Sequence, residues 1–121
     1  MSANILAVDD SPTMRALLSR SLESMGYRVT SAVDGQDALD KYAGAAPNAV
    51  ITDINMPVLD GFGLIAALRE REDAREVPIL VLSTESAPEK KALARDAGAT
   101  GWIVKPFDPE SLNRALRRII Q

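Results

Sequence analysis

The sequence predicts an α/β fold, a doubly wound, flavodoxin-like (βα)5 domain in which helices cover both faces of a five-stranded parallel sheet. Short apolar runs alternate five times with amphipathic helical patterns along the 121 residues. The inner runs are continuously apolar, as is typical of parallel strands buried on both faces. The length suits a single domain, 1–121. Sheets of this class commonly have the strand order 2-1-3-4-5, an expectation that comes from the fold class and not from individual residues.

Each element has a local signal. The strands are predicted at residues 5–8, 27–31, 49–52, 79–82 and 101–104. The helices are predicted to start at Ser11-Pro12, Asp34-Gly35, Asp60-Gly61, a Ser86–Glu89 capping box, and Asp108-Pro109. Ser and Asp suit the N-cap position and Pro the first helical position. Gly26 and Gly98 suit helix ends.

Composition excludes several classes of protein. Cysteine and histidine are absent, which rules out disulfides, thiolate or imidazole metal sites and histidine-based nucleophilic triads. The formal net charge of -3 argues against a general affinity for nucleic acid. No apolar run approaches a membrane span, and no basic leader opens the chain. We therefore expect a cytoplasmic, monomeric protein without membrane or nucleic-acid partners.

Polar residues follow four of the predicted strands. They are Asp9-Asp10, Asp53, Ser83-Thr84 and Lys105. In a doubly wound sheet, sites form outside the carboxyl ends of the strands, so these side chains should meet at one edge. Each also has a simpler interpretation. The acidic pair suits a helix N-terminus, Asp53 and Ser83 suit turns, and Lys105 suits a solvated surface.

Taken together, these residues indicate a phosphoryl-transfer site. Three carboxylates repel one another unless a cation relieves the repulsion, and Mg²⁺ prefers such oxygen ligands. Beside Mg²⁺, Asp53 can attack a phosphoryl donor and form an aspartyl phosphate. The ammonium of Lys105 can neutralise phosphoryl oxygens, and the Ser83 hydroxyl can donate a hydrogen bond to one.

The chain resembles the receiver domains of two-component response regulators over essentially its whole length. The resemblance rests on Asp9-Asp10, Asp53, Met56-Pro57, Asp60-Gly61, Ser83-Thr84 and Lys105-Pro106-Phe107. It implies that Asp53 is the phosphoacceptor and that Asp10 and Asp53 bind Mg²⁺ directly. It also implies that Asp9 acts through water and Asn55 through its backbone carbonyl. Ser83 is then the switch hydroxyl, Lys105 the phosphoryl-contacting lysine, and Lys105–Pro106 a cis peptide.

Residues 98–107 resemble chemotaxis regulators of the CheY type. Trp102 takes the position of the switch aromatic, although it can also be a large side chain that half covers the last two strands. Asn55 and Glu85 stand where the family tunes loss of the phosphoryl group, and they imply rapid autodephosphorylation. The implied partners are a CheA-like histidine kinase, the flagellar motor switch and a phosphatase. The chain would be a phosphoacceptor switch, catalysing only its own phosphorylation and dephosphorylation.

Other functions remain open from the residues. The chain can instead be a phosphate sink or a single-domain relay receiver. A flavin-binding electron carrier of the same fold is disfavoured because Asp9-Asp10 would repel the flavin phosphate. An Asp-nucleophile phosphatase is disfavoured because the candidate follows the third strand and residue 55 is Asn. The basic surface near the last helices suits either docking or simple solvation; it comprises Lys90, Lys91, Arg114, Arg117 and Arg118.

Overall fold

The computed structural model describes residues 3–120. The strands are β1 (Asn4–Val8), β2 (Arg28–Ala32), β3 (Ala49–Thr52), β4 (Ile79–Ser83) and β5 (Gly101–Val104). The helices are α1 (Pro12–Ser24), α2 (Gly35–Ala45), α3 (Gly61–Glu70), α4 (Pro88–Ala97) and α5 (Pro109–Ile119), with a short 3-10 helix at Glu72–Ala74. The strands pair in parallel in the order β2-β1-β3-β4-β5, which confirms the predicted fold class and strand order.

The two faces of the sheet carry separate hydrophobic cores. Successive side chains of a strand point to opposite faces, so Leu6 and Val8 contribute to one core and Ile5 and Ala7 to the other. The first core is closed by α2, α3 and α4, and the second by α1 and α5. Every residue of β1, β3 and β4 is buried, whereas the edge strands β2 and β5 are partly exposed. This burial accounts for the continuously apolar central runs.

Most helix starts form as predicted. The side chains of Ser11, Asp34, Asp60 and Asp108 each accept a hydrogen bond from a backbone N–H in the first turn of the helix that follows. The capping box predicted at Ser86 is wrong. Pro88 is the first residue of α4, so Ala87 is the N-cap and no side chain caps this helix. Ser86 therefore lies one position too early to cap.

Two backbone features lie close to the carboxyl edge of the sheet. The Lys105–Pro106 peptide is cis, as the resemblance implies. Val58, in the loop between β3 and α3, has a φ of 71° and is 80% exposed. β-branched residues rarely adopt this left-handed conformation. Within residues 3–120 no helix has the length and apolar character needed to cross a membrane.

Candidate phosphoacceptor site

The register of the sheet brings the predicted polar residues to one edge. Val8 of β1 pairs with Thr52 of β3. The residues that follow them, Asp9 and Asp53, therefore lie side by side where the two strands end. On the other side of β3, Ser83 of β4 pairs with Val104 of β5, the residue before Lys105. The parallel arrangement therefore gathers residues that are far apart in sequence at the carboxyl ends of the strands.

Three carboxylates form the centre of this edge. One oxygen from each of Asp9, Asp10 and Asp53 lies within 4.8 Å of the other two. Asp9 and Asp53 are buried and Asp10 is exposed, so the cluster opens to solvent on the Asp10 side. Among residues 3–120, none forms a hydrogen bond or ion pair with the Asp10 carboxylate. Buried carboxylates are costly without a cationic partner, so the cluster needs positive charge.

Lys105 supplies part of that charge. Its Nζ lies 2.7 Å from Asp9 Oδ2 and 2.9 Å from Asp53 Oδ2, and its side chain is only 9% exposed. Burial lowers the pKa of Lys105, but hydrogen bonds to Asp9 and Asp53 and the charges of both carboxylates outweigh burial and leave that pKa raised. The lysine is therefore charged, and three carboxylates face one ammonium.

The backbone around Asp53 is held from both sides. Its Oδ1 accepts a hydrogen bond from the N–H of Ile54 at 2.6 Å, and its carbonyl accepts one from Thr52 Oγ1 at 2.8 Å. Gly61 packs directly against this segment: a Cβ on Gly61 would overlap the Asp53 carbonyl and lie 2.7 Å from Ile54 Cα. The phosphoacceptor candidate therefore projects from a closely packed loop.

Asp9 is held by a residue that the sequence interpretation missed. Arg15 Nη1 donates to the Asp9 carbonyl at 2.8 Å, and the N–H of Ser11 donates to Asp9 Oδ1 at 2.9 Å. A cation close to a helix N-terminus interacts unfavourably with the helix dipole. The presence of Arg15 at this unfavourable position is the sequence signal that could have identified it. Thr52 was missed as well, because one threonine within an apolar strand gives no such signal.

The remaining predicted residues lie around the cluster. Ser83 is fully buried, and its Oγ accepts a hydrogen bond from the N–H of Glu85 at 3.3 Å. Trp102 Nε1 donates to the Glu85 carbonyl at 3.0 Å. Asn55 lies exposed in the loop after β3, two residues beyond Asp53. One backbone segment, 83–85, therefore connects the hydroxyl at the sheet edge to the indole of β5.

Comparison with known proteins identifies the family. The family model for the response regulator receiver domain matches residues 5–117. The chain belongs to the response regulator receiver family. Receiver domains are phosphoacceptor switches that take phosphoryl groups from histidine kinases and bind Mg²⁺ at an acidic site.

Solved structures and curated relatives agree with this assignment. The receiver is similar to chemotaxis protein CheY4 of Vibrio cholerae, with 45% identity, a TM-score of 0.94, and coverage of 98% of this chain and 99% of that one. A receiver domain of a Pseudomonas aeruginosa sensor histidine kinase holds a coordinated magnesium ion in its active-site cleft. It has 32% identity and a TM-score of 0.92, with coverage of 99% of this chain and 98% of that one.

Among curated proteins, the receiver is 41% identical to the transcriptional regulatory protein PrrA of Mycobacterium leprae. The match extends over 88% of this chain and 45% of PrrA. The chain spans about half the length of the curated relatives that it matches. PrrA and CheY4 are therefore both similar to this receiver, but their names describe different proteins. PrrA is named a transcriptional regulatory protein and CheY4 a chemotaxis protein.

Proposed function

We propose that this chain is a signalling receiver in which Asp53 accepts a phosphoryl group from a histidine kinase. The observation that carries the proposal is the contact of Lys105 Nζ with both Asp9 and Asp53 at the edge of the acidic cluster. A lysine that served only to neutralise Asp53 would not require Asp9 and Asp10 beside it. The extra carboxylates leave the cluster with net negative charge, which a further cation would offset.

The residues present fit Mg²⁺. Asp9, Asp10 and Asp53 offer oxygen ligands within 4.8 Å of one another, which is the donor type this ion requires. Asp10 and Asp53 would bind the ion directly, Asp9 through water, and Asn55 through its backbone carbonyl. When bound, the ion neutralises the negative charge that gathers on the phosphoryl oxygens.

The protein's own groups carry the rest of the reaction. A carboxylate oxygen of Asp53 forms a bond to phosphorus while the bond from phosphorus to the donor nitrogen breaks, and the leaving imidazole keeps the electron pair. Lys105 already lies at Asp53 Oδ2 and stabilises the transferred oxygens as a point charge. Ser83 supplies a hydroxyl that can turn towards another phosphoryl oxygen.

Ser83 also connects the site to the protein surface. If its Oγ turns to the phosphoryl group, the Glu85 N–H loses its acceptor, and the Glu85 carbonyl holds Trp102. Phosphorylation would thereby change the surface formed by α4, β5 and α5. The positions of Asn55 and Glu85 beside the site suit a role in setting how long the phosphoryl group persists.

The downstream target that we propose is the flagellar motor switch, with a CheA-like kinase as donor. Similarity to CheY4 over almost the entire length of both chains supports this choice. A phosphate sink or relay that drains the same kinase is the alternative within this pathway. The match to PrrA favours a second candidate, a receiver that controls transcription.

The proposal is tested by incubating the protein with Mg²⁺ and acetyl phosphate and measuring intact mass. Wild type should gain one phosphoryl group, and Asp53→Ala should gain none. Asp96→Ala, an exposed change on α4, is the matched control and should behave like wild type. No mass gain on wild type, or an equal gain on Asp53→Ala, would overturn the assignment of Asp53.

The choice of target needs a second experiment. The protein treated with Mg²⁺ and beryllium fluoride should bind a purified flagellar motor switch protein more tightly than the untreated protein. Equal binding with and without the treatment would exclude the motor role. Phosphoryl transfer from the kinase without any motor binding would indicate the sink or relay.

A further inference from the structure

Arg15 departs from the usual charge pattern of a helix start. It is the fourth residue of α1, its N–H makes an early helical bond to the Ser11 carbonyl at 2.9 Å, and the first turn holds no acidic residue. A cation at this end of a helix opposes the dipole and lowers helix stability slightly. The stability of α1 therefore gives no reason for an arginine at this position.

The side chain of Arg15 instead turns back towards the acidic cluster. Its Nη1 donates to the Asp9 carbonyl at 2.8 Å, and Asp9 as a whole is only 2% exposed. The other polar atoms of Asp9 also have partners. The N–H donates to the Ala32 carbonyl, Oδ1 accepts from Ser11, and Oδ2 contacts Lys105. Arg15 thus completes the set of bonds that fixes Asp9.

The hydrogen bonds that Lys105 and Arg15 donate to Asp9 should respond differently to the binding of a cation. The bond from Lys105 uses a carboxylate oxygen, and that oxygen is needed if Asp9 is to face a metal ion or its water. The bond from Arg15 uses the backbone carbonyl and leaves both carboxylate oxygens available. Arg15 can therefore keep holding Asp9 while Lys105 turns to another anion.

The charge of Arg15 also affects the pKa of Asp37, a residue in the first turn of α2. That pKa is lowered mainly by a hydrogen bond from the Val33 N–H, and the charges of Lys41 and Arg15 add to the effect. The Arg15 guanidinium therefore also acts on the segment that follows β2.

We propose that Arg15 is a positioning residue for the metal-binding carboxylates and acts through the backbone of Asp9. This inference rests on the proposed function, because it concerns the affinity of the same cluster for Mg²⁺. Groups that orient metal ligands typically change metal affinity by about 10- to 100-fold when removed. Since Asp9 is one of three carboxylates, the lower end of that range applies.

The experiment compares Mg²⁺ binding by isothermal titration calorimetry in wild type, Arg15→Met, Arg15→Lys and Arg20→Met. Methionine keeps most of the apolar length of arginine but removes its donors. Arg20 is exposed on the same helix and provides the matched control. Melting temperatures in metal-free buffer are measured in parallel, since a purely structural residue would lower them without changing the affinity of the folded protein.

We expect Arg15→Met to weaken Mg²⁺ binding about tenfold. Arg15→Lys should fall between this variant and wild type, and Arg20→Met should match wild type. Binding by folded Arg15→Met within twofold of wild type would overturn the inference. If that variant does not fold, the same criterion applies to Arg15→Lys. A wild type that gains a phosphoryl group while Arg15 variants bind Mg²⁺ normally would refute only this inference, whereas a wild type that does not bind Mg²⁺ would refute both.

Discussion

The indole N–H of Trp102 donates a hydrogen bond to the backbone carbonyl of Glu85, 3.0 Å away. The peptide N–H of the same glutamate donates to Ser83 Oγ at 3.3 Å. The indole of Trp102 therefore has a defined hydrogen-bonding partner in the loop after β4. The two bonds meet on one residue, so a change at the Ser83 hydroxyl has a direct route to the indole.

Removing the hydroxyl of Ser83 should uncouple the indole from phosphorylation. In wild type, Mg²⁺ with acetyl phosphate should change the fluorescence of Trp102, which is the only tryptophan of the chain. Ser83→Ala should still gain the phosphoryl group by mass, but its fluorescence change should be largely lost. Ser86→Ala, which leaves both hydrogen bonds in place, is the control. A full fluorescence response in phosphorylated Ser83→Ala would contradict the route through Glu85.

Replacing Lys105 by Met should destabilise the protein and make its stability depend on Mg²⁺. The change leaves the buried carboxylates of Asp9 and Asp53 without their ammonium, and breaking such a contact costs about 3 kcal/mol. Urea unfolding should show this loss without metal and a partial recovery with Mg²⁺, because the ion supplies the missing charge. Lys41→Met, which breaks an exposed pair with Asp37, should cost less than about 1 kcal/mol. Equal losses in the two variants would argue against the special role of Lys105.

Two glycine-to-alanine changes should affect the stability of the protein in opposite directions. Alanine at Gly61 would place a methyl group against the backbone of Asp53 and Ile54, which cannot move aside without shifting the phosphoacceptor loop. We expect a loss of about 2 kcal/mol or more and slower phosphorylation. Gly44 lies in α2 with open space around it, so Gly44→Ala should stabilise by about 0.5 to 1 kcal/mol. Thermal unfolding measures both, and a neutral Gly61→Ala would show that the loop can adapt.

Relieving the backbone strain at Val58 should stabilise the protein. This residue has a φ of 71° and makes little contact, being 80% exposed. Asparagine tolerates the left-handed conformation better than valine, so Val58→Asn should add about 1 kcal/mol to the free energy of unfolding. Val33→Asn changes another exposed valine, one without a positive φ, and should not stabilise. A loss of stability in Val58→Asn would mean that the valine side chain makes a favourable contribution that outweighs the strain.

Asp37 should make stability depend on acid pH. Its pKa lies below the ordinary value of 3.8 because its carboxylate accepts a hydrogen bond from the Val33 N–H and pairs with Lys41. A folded-state pKa below the unfolded one gives stability that is present above the unfolded value and is lost as pH falls through the folded one. Asp37→Asn should therefore be less stable than wild type near pH 7, and the difference should shrink below about pH 4. Urea unfolding across this range measures it, and a constant difference would show that the charge is not responsible.

Much of the fold could be predicted because the central strands are buried on both faces. Their continuous apolar character locates β1, β3 and β4, and the N-cap residues locate four of the five helices. The element boundaries follow the prediction less closely: β2 begins at Arg28 and includes Ala32, one position later than predicted at both ends. The start of α4 was misjudged because Pro88 and Ser86 give competing signals, and the proline determines the first helical position.

The residues of the site, like the elements of the fold, could be predicted only in part. Asp9, Asp10, Asp53 and Lys105 could be placed together because parallel strands end at one edge. The contact of Arg15 with the Asp9 carbonyl could not, because it depends on where a long side chain turns and not on the strand to which it is attached. The left-handed conformation of Val58 could not be predicted either, since valine normally favours extended structure.

The ion pair between Lys105 and Asp9 joins residues 96 positions apart, and the pair with Asp53 joins residues 52 apart. During synthesis the two aspartates leave the ribosome well before the lysine does. A nascent chain that ends before β5 therefore has the acidic residues but not their counter-charge. We expect the site to be assembled last during folding, so that competence to receive a phosphoryl group also reports that the final strand has docked.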